Sequence, residues 1–192
     1  MNKSIDWFCR IVRIAGVNFP VAASFVQIQA ELDNVEISKR IEKLEDPISH
    51  LHEDIRQVSR LLYAKLVEED STDLNFNEDF YLKYSRPLAT LNQSGYIRLN
   101  NALGSRIPVN IDLIDPSFIL YLTAIAGNSE MMGYLIKIVD ECSFGQWLDG
   151  KKLKEELKIP SSVVHAVFEV YEAKGYGLLS RELNTCMYRG NC

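Results

Sequence analysis

Apolar side chains recur along this chain mainly at helical spacing. In residues 4–15, Ile5, Phe8, Ile11, Val12 and Ala15 fall on one stripe, and Gly16, Asn18 and Pro20 supply a stop and a restart toward a second helix from Val21. Ile37, Ile41, Leu44, Ile48, Leu51, Ile55, Val58 and Leu62 then follow in steps that alternate four and three. Such steps fit a coiled-coil seam. With Ile41, Ile48 and Ile55 at a, and Ile37, Leu44, Leu51 and Val58 at d, the seam favours a parallel two-stranded assembly. A helix that packs the same stripe on its own core leaves the same pattern. Pro47 lacks a helical donor, so two helices over 21–45 and 47–69 fit as well as one long one.

The stretch EEDSTDLNFN, residues 68–77, is acidic and rich in small polar residues and reads as a loop or hinge. A helix is expected over 79–94, ending at Ser94-Gly95-Tyr96. Turn signals at Asn100-Asn101, Gly104-Ser105 and Pro108 then break 96–114 into a small hairpin. Pro116-Ser117 opens a further helix that carries Phe118, Ile119, Tyr121 and Leu122.

From Ser129 the order of elements is clearest. A helix bears Met131, Met132, Leu135, Ile138 and Val139, Gln146-Trp147-Leu148 is strand-like, and Asp149-Gly150 turns into a helix over 151–157. Ile159-Pro160-Ser161 caps the next helix, 162–174, with Val164, Val167, Phe168 and Tyr171 on its buried stripe. Gly175-Tyr176-Gly177 ends that helix, and 178–183 and 185–189 flank Asn184 as a hairpin. This order, over about 129–190, resembles winged helix-turn-helix domains. The earlier transition Asn92-Gln93-Ser94-Gly95-Tyr96-Ile97 echoes Ala173-Lys174-Gly175-Tyr176-Gly177-Leu178, which leaves open a degenerate first winged helix at about 50–115. The expected fold is mainly α: a helical dimerisation region over 1–69, a helix-plus-hairpin unit over 70–128, and a winged helix over 129–192, alone or the second of a tandem pair.

Hydrophobic residues make up 47% and charged residues 24% of the 192, so a folded globular chain is expected and a disordered one excluded. Cys9, Cys142, Cys186 and Cys192 include no C-x-x-C pair, which argues against a zinc ribbon or redox dithiol and suits a reducing cytoplasm. The uncharged run 14–30 contains Asn18, Pro20, Ser24, Gln27 and Gln29 and falls short of the ~20 apolar residues of a spanning helix, so no membrane role is expected. Phosphate-cradling, zinc-hydrolase and nucleophile-elbow motifs are all missing, so neither enzymatic activity nor a cofactor is expected. Asp46, His50 and Asp54, at four-residue steps, read as neighbouring surface charges rather than metal ligands.

Net charge is −5, but from Lys151 onward seven Lys or Arg stand against five Asp or Glu, so the chain turns basic in its last unit. In winged helices that read DNA, the resemblance implies that the helix after the turn enters the major groove while the hairpin touches the backbone. Here that helix offers Ser161, Ser162 and His165 to bases, and Lys151, Lys152, Lys154, Lys158, Arg181 and Arg189 to phosphates. Glu169 and Glu172 would repel phosphates, which restricts docking to the N-terminal end of that helix. One reading is therefore a homodimeric DNA-binding transcriptional regulator, with double-stranded DNA and a second copy as partners. The other is a protein-interaction module on a winged-helix scaffold, in which the acidic helix 162–174 binds another protein.

Overall fold

The computed structural model describes residue 48 and residues 51–126, 129–180 and 186–191. The first helix among the described residues, α1 (Ile55–Glu69), buries Ile55, Val58, Leu62 and Leu66 at three- and four-residue steps and ends at Asp70, whose φ of 47° is left-handed. Strand β1 (Asp73–Leu74) follows. Asn77 then caps α2 (Glu78–Lys83) by accepting the Phe80 N–H at 3.0 Å, and Glu78 and Asp79 in its first turn suit the positive end of the helix dipole.

The helix expected over 79–94 divides at Tyr84, and α3 (Ser85–Gln93) begins anew. Pro87 in the first turn of α3 is the local cause, because a proline belongs at a helix start rather than in its interior. Strands β2 (Ile97–Asn101) and β3 (Pro108–Leu113) form the expected hairpin, and β1 adds to β3, giving an antiparallel sheet of order β1-β3-β2.

Asp115 opens α4 (Pro116–Ile125) by accepting both the Ser117 N–H (2.8 Å) and the Ser117 hydroxyl (2.6 Å), with Pro116 in the first turn. After it come α5 (Ser129–Asp140), β4 (Trp147–Asp149), α6 (Gly150–Leu157), α7 (Ser161–Ala173), β5 (Gly177–Leu179) and β6 (Met187–Gly190). The second sheet is again antiparallel, in the order β4-β6-β5. The sequence helix, strand, helix, helix, hairpin thus occurs twice, with the third strand central both times. The fold is mixed α/β with a helical majority.

Helix α4 lies between the two repeats, packed against α1 on one side and α7 on the other, and its residues from Pro116 to Thr123 are all buried. The buried side chains of both repeats join in one cluster through it. Among the described residues no helix is long and apolar enough to cross a membrane.

The stripe that fits either a seam between two copies or a helix packed on its own core is partly buried within the single chain. Ile48, Ile55, Val58 and Leu62 are at most 1% exposed within the single chain, so these four face its own core, and Leu51 stands outside it. The helix also starts eight residues later than the expected boundary at Pro47. Ile37, Ile41 and Leu44 lie outside the described residues.

Candidate functional site

Helix α7, the expected reading helix, buries seven of its thirteen residues. Val164, Val167, Phe168 and Tyr171 do so as the pattern predicts, but Val163, Ala166 and Val170 are buried too. Phe168 stacks on Tyr188 of the second sheet (ring centroids 5.0 Å apart), while α4 of the linking region packs against the helix as well. What remains is a narrow strip containing Ser161, Ser162, His165 and Glu169. This strip lines a groove of about 530 Å³ whose other wall is Asp70, Ser71, Thr72, Leu113, Ile114 and Ile119. A helix that enters a major groove needs its outward face uncovered. The strip of α7 expected to read bases thus faces this groove, whose opposite wall belongs to the first repeat and to α4.

The start of α7 is held from the first repeat. Pro160 at the N-cap has no side-chain acceptor. Asp70 supplies one from 91 residues away: its Oδ1 accepts the Ser161 N–H at 2.7 Å and the Ser161 hydroxyl at 2.9 Å, and its Oδ2 pairs with Lys154 Nζ. Burial alone would raise the Asp70 pKa, but the Lys154 ammonium and the Ser161 donors outweigh it and hold the carboxyl below its ordinary value of 3.8. Lys154, bonded to Asp70, is raised above 10.5.

A lowered carboxyl stabilises the fold fully above its unfolded value and loses that contribution as pH falls through the folded one. A raised lysine contributes below its unfolded value and loses its share as pH rises through the folded one. Asp70→Asn, which tolerates the left-handed backbone, is therefore expected to cost about 1 kcal/mol after solvent screening. Urea melts should show this difference as flat between about pH 5 and pH 9 and shrinking in acid.

Other residues of the expected DNA surface are dispersed. Lys151, Lys152 and Lys158 are exposed, and Lys151 joins Ser161, Ser162 and His165 around the groove. His165 Nδ1 lies 3.6 Å from Glu169, and Glu172 Oε1 accepts the Leu179 N–H at 2.9 Å. Arg189 sits on β6 with its guanidinium 5.9 Å from the Trp147 ring, away from the groove. Arg181 lies outside the described residues. The Cys186 thiol beside the groove is pushed up to about 11 by burial and then by Asp149, so it is protonated and unreactive at neutral pH.

In the first repeat the equivalent elements are open. Pro87, Leu88 and Leu91 of α3 point inward, leaving Ser85, Arg86, Asn92 and Gln93 exposed. Asn92 Oδ1 accepts the Leu99 N–H at 3.0 Å, tying the end of this helix to the hairpin. The turn of the β2–β3 hairpin, 102–106, is fully exposed and carries Arg106. From Phe80 to Ile111 the chain has no Asp or Glu but four cations, Lys83, Arg86, Arg98 and Arg106, all exposed. Among the described residues none of the four enters an ion pair. Arg98 is the weakest of them as an anion contact, since it lies directly across from Asp112 in the sheet. Counting charge only from Lys151 onward hid this acid-free stretch, which a sliding window would have found.

No protein-family model, curated protein or solved structure matches the chain.

Proposed function

We propose that the chain is a non-enzymatic DNA-binding protein built from two winged helices in tandem, in which the first holds the duplex and the second supports it. Winged helices pair a three-helix unit with a three-stranded sheet, and the repeated element order and central third strand support that reading of both units. On this reading α3 and the β2–β3 hairpin take the positions from which winged helices meet DNA. The observation that carries it is the acid-free run from Phe80 to Ile111 with its four exposed cations, of which Arg86, Arg98 and Arg106 lie on those two elements and Lys83 at the end of α2. A regulator of transcription is the role it best supports.

Phosphate contacts make affinity fall with salt, by about 0.9 in log–log slope for each phosphate neutralised. Arg86→Ala with Arg106→Ala is expected to weaken binding to mixed-sequence duplex about tenfold or more and to flatten the slope by about 1.8. Ser162→Ala with His165→Ala should leave both unchanged, because α7 looks into the groove between repeats. A fluorescence-anisotropy titration at several salt concentrations reads both quantities. A wild-type chain that binds no duplex at low salt, or a loss confined to the Ser162 and His165 pair, overturns the proposal.

A further inference from the structure

The two sheets have the same strand order but opposite surface chemistry. Each turns one face to the core: Leu74, Ile111 and Ile97 in the first sheet, Leu148, Tyr188 and Leu179 in the second. Residues directly opposite across strands share a face, so the pairing register identifies each outward row. In the first sheet that row is Asp73, Asp112 and Arg98, followed by Asn110 and Asn100, polar or charged throughout. The row at the same position in the second sheet is Trp147, Arg189 and Leu178.

Trp147 is 51% exposed and Leu178 52%, and Phe144, in the turn that leads into β4, is 74% exposed. A tryptophan, an arginine and flanking apolar side chains on one rigid face have the composition of an interface centre rather than of a free surface. The first sheet acts as an internal control, since the fold itself does not require apolar residues there.

We propose that this outer face of the second sheet docks a segment of another protein whose apolar side chains cover Trp147 and Leu178 and whose carboxylate meets Arg189. Arg189 stands at the middle of the row, near the Trp147 ring, and forms no ion pair among the described residues. The one described carboxylate on the same face of these strands is Asp149, and it is occupied in capping α6 through the Lys151 and Lys152 N–H groups. A second copy is a poor occupant, because a two-fold contact centred on this row brings two Arg189 side chains together, while the Asp149 carboxylate is engaged at the start of α6. Nucleic acid is a poor one too, since a single cation serves the whole row. The segment lies across the face rather than extending the sheet at β5, where the outward Leu179 N–H is already taken by Glu172. Glu172 thus guards an edge.

The inference is independent of DNA binding, and a displayed library of random peptides of about 16 residues, selected on the full chain, tests it. Enriched peptides are expected to combine Leu, Phe or Met with Asp or Glu. Synthetic copies should lose about tenfold or more in affinity on Trp147→Ala and on Arg189→Glu. Changing the peptide's acid to Lys should restore binding to Arg189→Glu, a charge swap that a merely structural role for Arg189 does not produce. Thermal melts within about 3 °C of wild type establish that the variants are folded, and Leu178→Ala replaces Arg189→Glu if the latter is not. No enrichment, basic winners, binding indifferent to Trp147→Ala, or a wild-type dimer that Trp147→Ala dissociates would each overturn the proposal.

Discussion

Phe118→Ala is expected to destabilise both repeats together, by about 3–5 kcal/mol, in a single transition. Phe118 has no exposed surface and stacks between Tyr96 of the first repeat and Tyr121 of its own helix, at centroid distances of 5.5 and 5.7 Å. Its helix α4 packs on both α1 and α7, so the lost contacts belong to a core that neither repeat completes alone. Separating the repeats would expose the large apolar side chains on whichever side of α4 loses its partner, at about 1.5–3 kcal/mol for each. That sum is comparable to the whole stability of a typical domain, so the repeats behave as one folding unit. Hydrogen exchange during denaturant melts gives the check: peptides from the β2–β3 hairpin and from β5 and β6 should lose protection at one common midpoint, shifted equally by the mutation. Two midpoints, with only one shifted, would refute a shared core.

The same shared core explains what could be read along the sequence and what could not. Helices with a single apolar stripe were legible, because periodicity describes an element with one buried face, as in Ile55, Val58 and Leu62 of α1. Helix α7 is buried on two sides, and its run Val163, Val164, Ala166, Val167, Phe168 and Val170 is too wide for one stripe. That width was itself the signal of a second buried side. Strand β1, two residues inside an acidic polar stretch, has no periodicity to detect and exists because β3 offers it an edge.

The Asp70 contact was invisible for a different reason. Local patterns relate a residue to neighbours three or four positions away, whereas Asp70 meets Lys154 and Ser161 at separations of 84 and 91. One side chain expected to hold phosphate, Lys154, and one expected to read bases, Ser161, are therefore held by a carboxylate of the same chain. Charge counts per unit cannot anticipate such internal pairing, and the open cations of α3 and its hairpin stand out only once the pairing of the second repeat is known.

Leu62→Asp is expected to unfold the chain rather than to divide a dimer. Leu62 has no exposed surface within the single chain, in the cluster that also holds Ile55, Val58 and Leu66. A carboxylate placed there finds no partner, and an unpaired buried charge costs several kcal/mol, enough to abolish a marginal fold. Leu51, at 38% exposed, is the counterpart on the same stripe, and Leu51→Asp should cost little. If the stripe instead joined two copies, the two substitutions would be equally damaging and would act by dissociation. Melting by circular dichroism at protein concentrations about fifty-fold apart separates the cases, because the midpoint of an obligate dimer rises with concentration and that of a self-contained core does not. The expected result is a wild-type midpoint independent of concentration, a near-normal Leu51→Asp and a Leu62→Asp with no cooperative transition. A concentration-dependent midpoint, together with equal damage from both changes, would return the stripe to the role of an intermolecular seam.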